Sequence, residues 1–276
     1  MDGFDNTYRF ETSWCLPPYA LCAIRALFSI YAFFVLYSVI GWLCGHDELG
    51  GCSAALLELS HFSFLSYWGI AYYFLVSSVD TFIYARTGTA LPDRLPRSLQ
   101  ILHWAFLCAT ITVYPLLITA LYWVWASPAQ WFPLKFVAWN SLSRHGLNSA
   151  FALFEIVMTR TAPHAWAHVL WLLAVLVLYL GLAYIARITT GIYVYSFLDP
   201  AQVGNRGIVI VFMSHIAIAC VLIFILVQGL IIMRIWLIEC KLGFDGKFAH
   251  ADASDRVRSV DIELVNSAPS AKIAAR

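Results

Sequence analysis

A chain of 276 residues that is 61% hydrophobic, 16% aromatic and only 12% charged is not built for water. Soluble domains run at about half apolar and a quarter charged, so the composition and a mean hydropathy of +0.76 exclude an ordinary soluble globule. The formal net charge of +1 selects no partner, and no long basic run points to nucleic acid.

The chain opens on "MDGFDNTYRFETSW", which is acidic and polar and has no cleavable signal pattern. The first helix is therefore expected to act as its own insertion signal. A hydrocarbon layer about 30 Å thick takes about 20 apolar residues of helix to cross. Six runs reach that length, at roughly 22–44, 61–84, 101–125, 138–158, 166–187 and 208–232. The expected fold is an all-α membrane protein, a bundle of six transmembrane helices with both termini cytoplasmic. Residues 1–21 read as a cytoplasmic N-terminal segment, 22–235 as the membrane domain, and 236–276 as a cytoplasmic, disordered tail.

The first helix closes on the glycine-rich turn "GWLCGHDELGG". Cys44 and Cys52 flank this outer loop and are a candidate disulfide pair. Most of the seven cysteines lie in spans and read as small packing residues. No CxxC occurs, so neither a metal nor a redox cofactor is expected. In helix two, Ser66, Tyr73, Ser77 and Asp80 recur at helical spacing on one face. "RTGTALPDRLPR" reads as a cytoplasmic hairpin, Pro115 kinks helix three, and "ASPAQWFP" is an outer turn. After helix five, "TTGIYVYSFLDPAQVGNRG" is an aromatic outer loop at the interface. His103, His164 and His168 fall near cytoplasmic ends and read as interfacial. Arg9, Arg86, Arg94, Arg97, Arg160, Arg234, Lys241 and Lys247 lie on one side, with Arg25 at the entrance of the first helix. Lys135, Arg187 and Arg206 lie on the other, so the excess of positive charge puts the termini inside.

Helix four holds "SRHGLNSAFALFE", the most polar stretch in any span. At 100° per residue, Ser141, Arg144, His145, Asn148 and Glu155 share an arc of roughly 100°. That stripe faces protein or a cavity, because ionisable groups within spans avoid lipid. By depth, Ser66 on helix two, His145 and Asn148 on helix four and His215 on helix six are expected in one outer layer. A hydroxyl beside an imidazole is the minimum for nucleophilic catalysis, with an amide to hold the oxyanion. Ser66 and His145 are thus the candidate catalytic pair, and Asn148 and His215 the candidate oxyanion or orienting groups. Arg144, Glu155 and Asp80 are the supporting intramembrane polar residues. The plainer reading of each residue is helix packing or a satisfied hydrogen bond.

"WNSLSRHGLNSAFALFEIVMTRT", "TTGIYVYSFLDP" and "SFLSYWGIAYYFL" resemble the androgen-induced and androgen-dependent-regulator family of multi-pass membrane proteins. "RFETSWCLPPYALCAIRALFSIYAFF" and "RSLQILHWAF" look like its fungal members, and the likeness covers roughly residues 8–235. A weaker similarity links the chain to the Rolling stone proteins. The resemblance implies an intramembrane hydrolase of fatty acid esters of hydroxy fatty acids, working with a threonine nucleophile and a histidine. The threonine position falls on Ser66, which keeps a hydroxyl. The histidine position falls on Asn148, which cannot act as a base, while a second motif histidine is matched by His145. Expected partners are membrane lipids and a lipid-ester substrate, in the endoplasmic reticulum or plasma membrane. The competing reading is a non-catalytic membrane protein that binds lipid or organises membranes. A proton-coupled transporter using Asp80 and Glu155 is a third.

Overall fold

A computed structural model describes residues 8–90, 108–126 and 132–244. Most of the hairpin expected on the cytoplasmic side, from residue 91, the start of the third apolar run with His103, most of the expected outer turn at 127–131 and the tail from 245 lie outside the described residues.

Pro17 and Pro18 open α1 (Pro18–Cys44), where a missing N–H has no helical partner to lose. A 3-10 turn (Asp47–Leu49) and α2 (Gly51–Glu58) follow. Gly50 and Gly51 take φ of +97° and +59° to reverse the chain there. The Cys44–Cys52 disulfide closes this loop. Next come α3 (Phe62–Thr87) and α4 (Cys108–Leu121), the latter running into a π turn at Tyr122–Ala126. Then α5 (Lys135–Leu142), a π turn (Ser143–Leu147) and α6 (Asn148–Met158) form one unbroken helical run. The chain continues through α7 (His168–Thr190) and a 3-10 turn (Ser196–Leu198). Last are α8 (Pro200–Val203) and α9 (Arg206–Arg234), which extends as a π segment to Lys241. Asp199 and Asn205 cap the last two helices, accepting from Ala201 N–H at 2.9 Å and Ile208 N–H at 3.1 Å.

The architecture is all-α. Among the described residues the one β feature is an isolated bridge between Ser13 and Thr159. Five helices are long and apolar enough to cross a membrane: Pro18–Cys44, Phe62–Thr87, Cys108–Trp125, His168–Thr190 and Arg206–Lys241. A helix satisfies its own backbone, which is why a chain of this composition forms nothing else in hydrocarbon. The run from Lys135 to Met158 is about 35 Å long, yet its polar side chains keep it out of that apolar set. It sits between two cores. On one side Phe151 stacks on Phe28 of α1 at 4.3 Å, beside Phe74 of α3. On the other, Ile156 packs with Leu117, Leu172 and Phe224 of α4, α7 and α9.

Helix runs past both ends of the expected 22–235 range. The first helix begins at Pro18, and Phe10, Glu11, Thr12 and Ser13 ahead of it are all buried. They pack where α6 stops. The last four carbonyls of a helix have no helical partner, and here each is taken by a side chain. Thr159 Oγ1 donates to Glu155 O at 2.6 Å, and Arg234 Nη1 to Ile156 O at 3.4 Å. Trp14 Nε1 donates to Val157 O at 2.8 Å, and Ser13 Oγ to Met158 O. Arg9 Nε continues the series at Arg160 O, 2.8 Å away. At the other boundary, the final helix continues past 235 to Lys241, where Glu239 pairs with Arg9 at 2.5 Å.

Candidate functional site

The polar stripe of the run from Lys135 to Met158 is buried, while Leu142 and Leu153 on its back are exposed. Its members serve different partners. A π turn carries Arg144 and His145, and it frees backbone groups that the regular helix would bond. Trp123 Nε1 takes one of them, donating to His145 O at 2.7 Å. Asn148 Oδ1 takes another, accepting from Ser149 N–H at 2.7 Å. The π turn that ends α4 supplies Tyr122, whose ring lies flat on the His145 imidazole with centroids 3.7 Å apart and planes 6° from parallel. Two irregular helical turns therefore lock one histidine.

His145 lines a cavity of about 410 Å³, within the range of about 300–1,000 Å³ usual for ligand pockets. The walls are apolar: Phe62, Leu117, Leu121, Leu176, Phe197 and Met213 among others. Polar groups enter at His145, Ser63, Ser196, Tyr122, Tyr179 and Tyr195. His145 is only 7% exposed, and its Nδ1 has no hydrogen-bond partner among the described residues.

The aromatic loop after α7 forms part of the cavity wall through Tyr195 to Leu198. Tyr195 holds this loop on the start of α3, its hydroxyl accepting from Phe62 N–H at 3.1 Å. Burial, ahead of smaller opposing contributions from hydrogen bonds and Arg144, raises the Tyr195 phenol above its usual pKa. Tyr179 Oη donates to Ser60 O at 2.8 Å on the same helix entrance. Arg144 stands beside Ser63. Its Nη1 pairs with Glu58 of α2 at 2.6 Å and its Nη2 lies 3.4 Å from Ser63 Oγ, with the guanidinium 5.1 Å over the Phe64 ring.

Three of the expected roles move. Ser66 is half-buried on α3 and does not line the cavity; Ser63, one turn nearer the helix start, does. The cavity meets only the first turn of α3, where the Tyr195 loop closes on it. His215 is exposed on α9, its Nδ1 2.7 Å from Val211 O, while the neighbouring Ile216 is the residue that faces the cavity. Asn148 is buried but is not an oxyanion donor to this space. Its Oδ1 accepts from Thr119 at 3.0 Å, and its Nδ2 donates to Pro115 O at 3.3 Å. Ser149 Oγ donates to the same carbonyl at 3.0 Å, so the two residues tie α6 to the proline turn of α4.

Deeper in, Glu155 is bound by Arg25 of α1 through Nε and Nη2, both at 2.8 Å. The same guanidinium donates to Thr81 Oγ1 at 2.6 Å and to Phe10 O at 3.0 Å. Glu155 is thus the partner of a buried cation rather than a group poised to relay protons. Asp80 is buried on α3. His164 is not interfacial but buried, and Gln228 grips its backbone from α9, accepting from its N–H at 2.8 Å and donating to its carbonyl. Among the described residues no cluster of His, Cys, Asp and Glu could hold a metal ion.

Sequence reasoning missed Glu58, Ser63, Tyr122, Tyr195 and the depth of Arg25. Ser63 was detectable: it lies about 60° round the helix from Ser66. The others become site residues only through contacts between distant elements. Comparison with models of protein families, with curated proteins and with solved structures finds no match.

Proposed function

We propose that this chain spans the membrane six times with both termini cytoplasmic, and that it hydrolyses lipid esters in the cavity between α3, α4, α7 and α9. Ser63 would be the nucleophile and His145 the base. The observation that carries this reading is that a serine, Ser63, and a histidine, His145, line one largely apolar cavity. The buried polar stripe supports counting Lys135 to Met158 as the sixth span. The disulfide on the loop after α1 supports placing that loop on the oxidising side.

The chemistry runs as acyl transfer. His145 takes the Ser63 proton as Oγ attacks the ester carbonyl, and the Arg144 guanidinium beside Ser63 stabilises the oxyanion. The protonated imidazole returns the proton to the leaving alcohol. Water then attacks the acyl-serine by the same route. Apolar walls suit a fatty acyl chain, in keeping with the resemblance to hydrolases of fatty acid esters of hydroxy fatty acids.

The test is turnover of such an ester by protein in lipid nanodiscs. Ser63→Ala and His145→Ala should each lower kcat by at least about 100-fold, and Ser66→Ala should leave it within a few-fold. Loss in Ser66→Ala alone would return the nucleophile to Ser66. Full turnover in both Ser63→Ala and His145→Ala would overturn this site. A second reading, a lipid-binding protein without turnover, is favoured by one observation: Ser63 Oγ accepts a hydrogen bond from Arg144 Nη2 at 3.4 Å, which holds the hydroxyl on a cation rather than on a base. Stoichiometric lipid capture without product would select it.

A further inference from the structure

Five cysteines are free, and they divide sharply. Cys108 and Cys220 are buried, and Cys22 is half-buried with its thiol donating to Ser78 O at 3.3 Å. Cys15 and Cys240 are exposed. These two lie far apart in sequence, but the fold brings their surroundings together. Trp14, next to Cys15, meets Phe244 with ring centroids 5.9 Å apart. Arg9 pairs at 2.5 Å with Glu239, the residue before Cys240.

Both thiols also stand where apolar helix gives way to polar chain. Cys15 precedes α1 by three residues, and Cys240 lies in the last turn of the helical run that begins at Arg206. Exposed Trp236, Leu237, Leu242 and Phe244 surround Cys240, and Lys241 Nζ sits 5.4 Å over the Trp236 ring. Aromatic and basic side chains so mixed are what a helix presents at the headgroup level. A thiol at that depth can be reached by an enzyme from the aqueous side, and a chain attached to it can lie in the adjoining hydrocarbon.

We propose that Cys15 and Cys240 are S-acylation sites for long-chain fatty acyl groups on the cytoplasmic face. The acyl donor is a fatty acyl thioester. The cysteine sulfur attacks the thioester carbonyl, a new carbon–sulfur bond forms as the donor's breaks, and the cysteine proton passes to the released donor thiol. Juxtamembrane cysteines are the usual acceptors of this reversible modification. An attached acyl chain adds membrane affinity as its methylenes enter the hydrocarbon. Here the consequence is local: two acyl chains would pin the N-terminal segment and the end of the last helix to the bilayer beside each other. The proposal rests on the cytoplasmic placement of the termini and is independent of ester hydrolysis.

The experiment is acyl exchange on the full chain recovered from eukaryotic membranes. Free thiols are blocked, thioesters are cleaved with hydroxylamine, and the released thiols take a PEG-maleimide mass tag. Wild type should gain two tags, Cys15→Ser and Cys240→Ser one each, the double variant none, and Cys22→Ser should match wild type. No hydroxylamine-dependent tag in wild type overturns the proposal, as does a full shift that survives in the double variant. A reductant-dependent shift larger than the Cys44–Cys52 disulfide gives, and lost in Cys15→Ser or Cys240→Ser, instead marks a Cys15–Cys240 disulfide and also overturns it. Sealed vesicles with the cytoplasmic side outward separate the two premises. After hydroxylamine, an impermeant maleimide should label both sites without detergent. Labelling only after detergent would overturn the cytoplasmic placement, and with it the proposed acylation.

Discussion

Arg25 of α1 and Glu155 of α6 form a two-pronged ion pair, 2.8 Å at each prong, with side chains 0% and 1% exposed. The pair sits where the N-terminal segment, α1, α3 and α6 converge, since Arg25 also holds Phe10 O and Thr81 Oγ1. Breaking a buried pair by removing one partner leaves an uncompensated charge and costs about 3–5 kcal/mol.

Glu155→Gln is therefore expected to lower the thermal midpoint strongly in detergent, and Arg25→Met to do the same. The double variant Arg25→Met/Glu155→Leu should recover much of the loss, because no charge is then left buried. A double variant as unstable as the sum of the singles would show that the two residues act separately.

Asn148 occupies the position at which the resemblance expects a histidine, yet its amide is committed to Thr119 and Pro115. Asn148→Ala should cost about 1–3 kcal/mol of stability while leaving kcat/KM for a lipid ester within a few-fold of wild type. Asn148→His should gain no activity, since that side chain points at the proline turn of α4 rather than into the cavity. A rise in turnover in Asn148→His would place the base at 148 after all.

His164 gives a pH dependence. Burial, reinforced by the neighbouring His168, pushes its pKa down from 6.5 to about 4. Its Nε2 lies 2.9 Å from Thr112 Oγ1, and that hydroxyl already donates to Cys108 O at 2.8 Å, so the ring fits as a neutral, Nε2-protonated donor. A depressed folded pKa gives stability that is complete above the unfolded value near 6.5 and is lost as pH falls through 4. The loss amounts to roughly 3 kcal/mol. Thermal midpoints measured from pH 7 down to 4.5 should fall more steeply for wild type than for His164→Asn. Equal slopes would show that His164 does not drive the acid sensitivity.

Much of the helical layout was legible because hydrocarbon leaves few alternatives. Apolar runs of spanning length had to be helices, and the wheel on "SRHGLNSAFALFE" correctly set Leu142 and Leu153 opposite the polar stripe. The boundary at Pro18 was less legible than the interior, since Ser13 is held by the open carbonyl end of α6, more than a hundred residues away, and Phe10 by Tyr73 of α3. The candidate hydroxyl slipped by one turn for a related reason. Ser63 and Ser66 share a face of α3, and nothing local says which of them the outer loop turns into a cavity wall. His215 was placed by depth without an angle, and one residue of rotation exchanged it for Ile216.

The sequence by itself determined an all-α, membrane-type chain with a buried polar stripe, because composition and a 3.6-residue period are properties of each segment alone. Only the tertiary structure decided what each polar group does: Arg144 on Glu58, His145 on Tyr122 at a cavity, Asn148 on Pro115, Glu155 on Arg25. The physical reason is that a polar side chain away from water must find its partner on another element, and which element arrives is set by packing rather than by the spacing of residues along one helix.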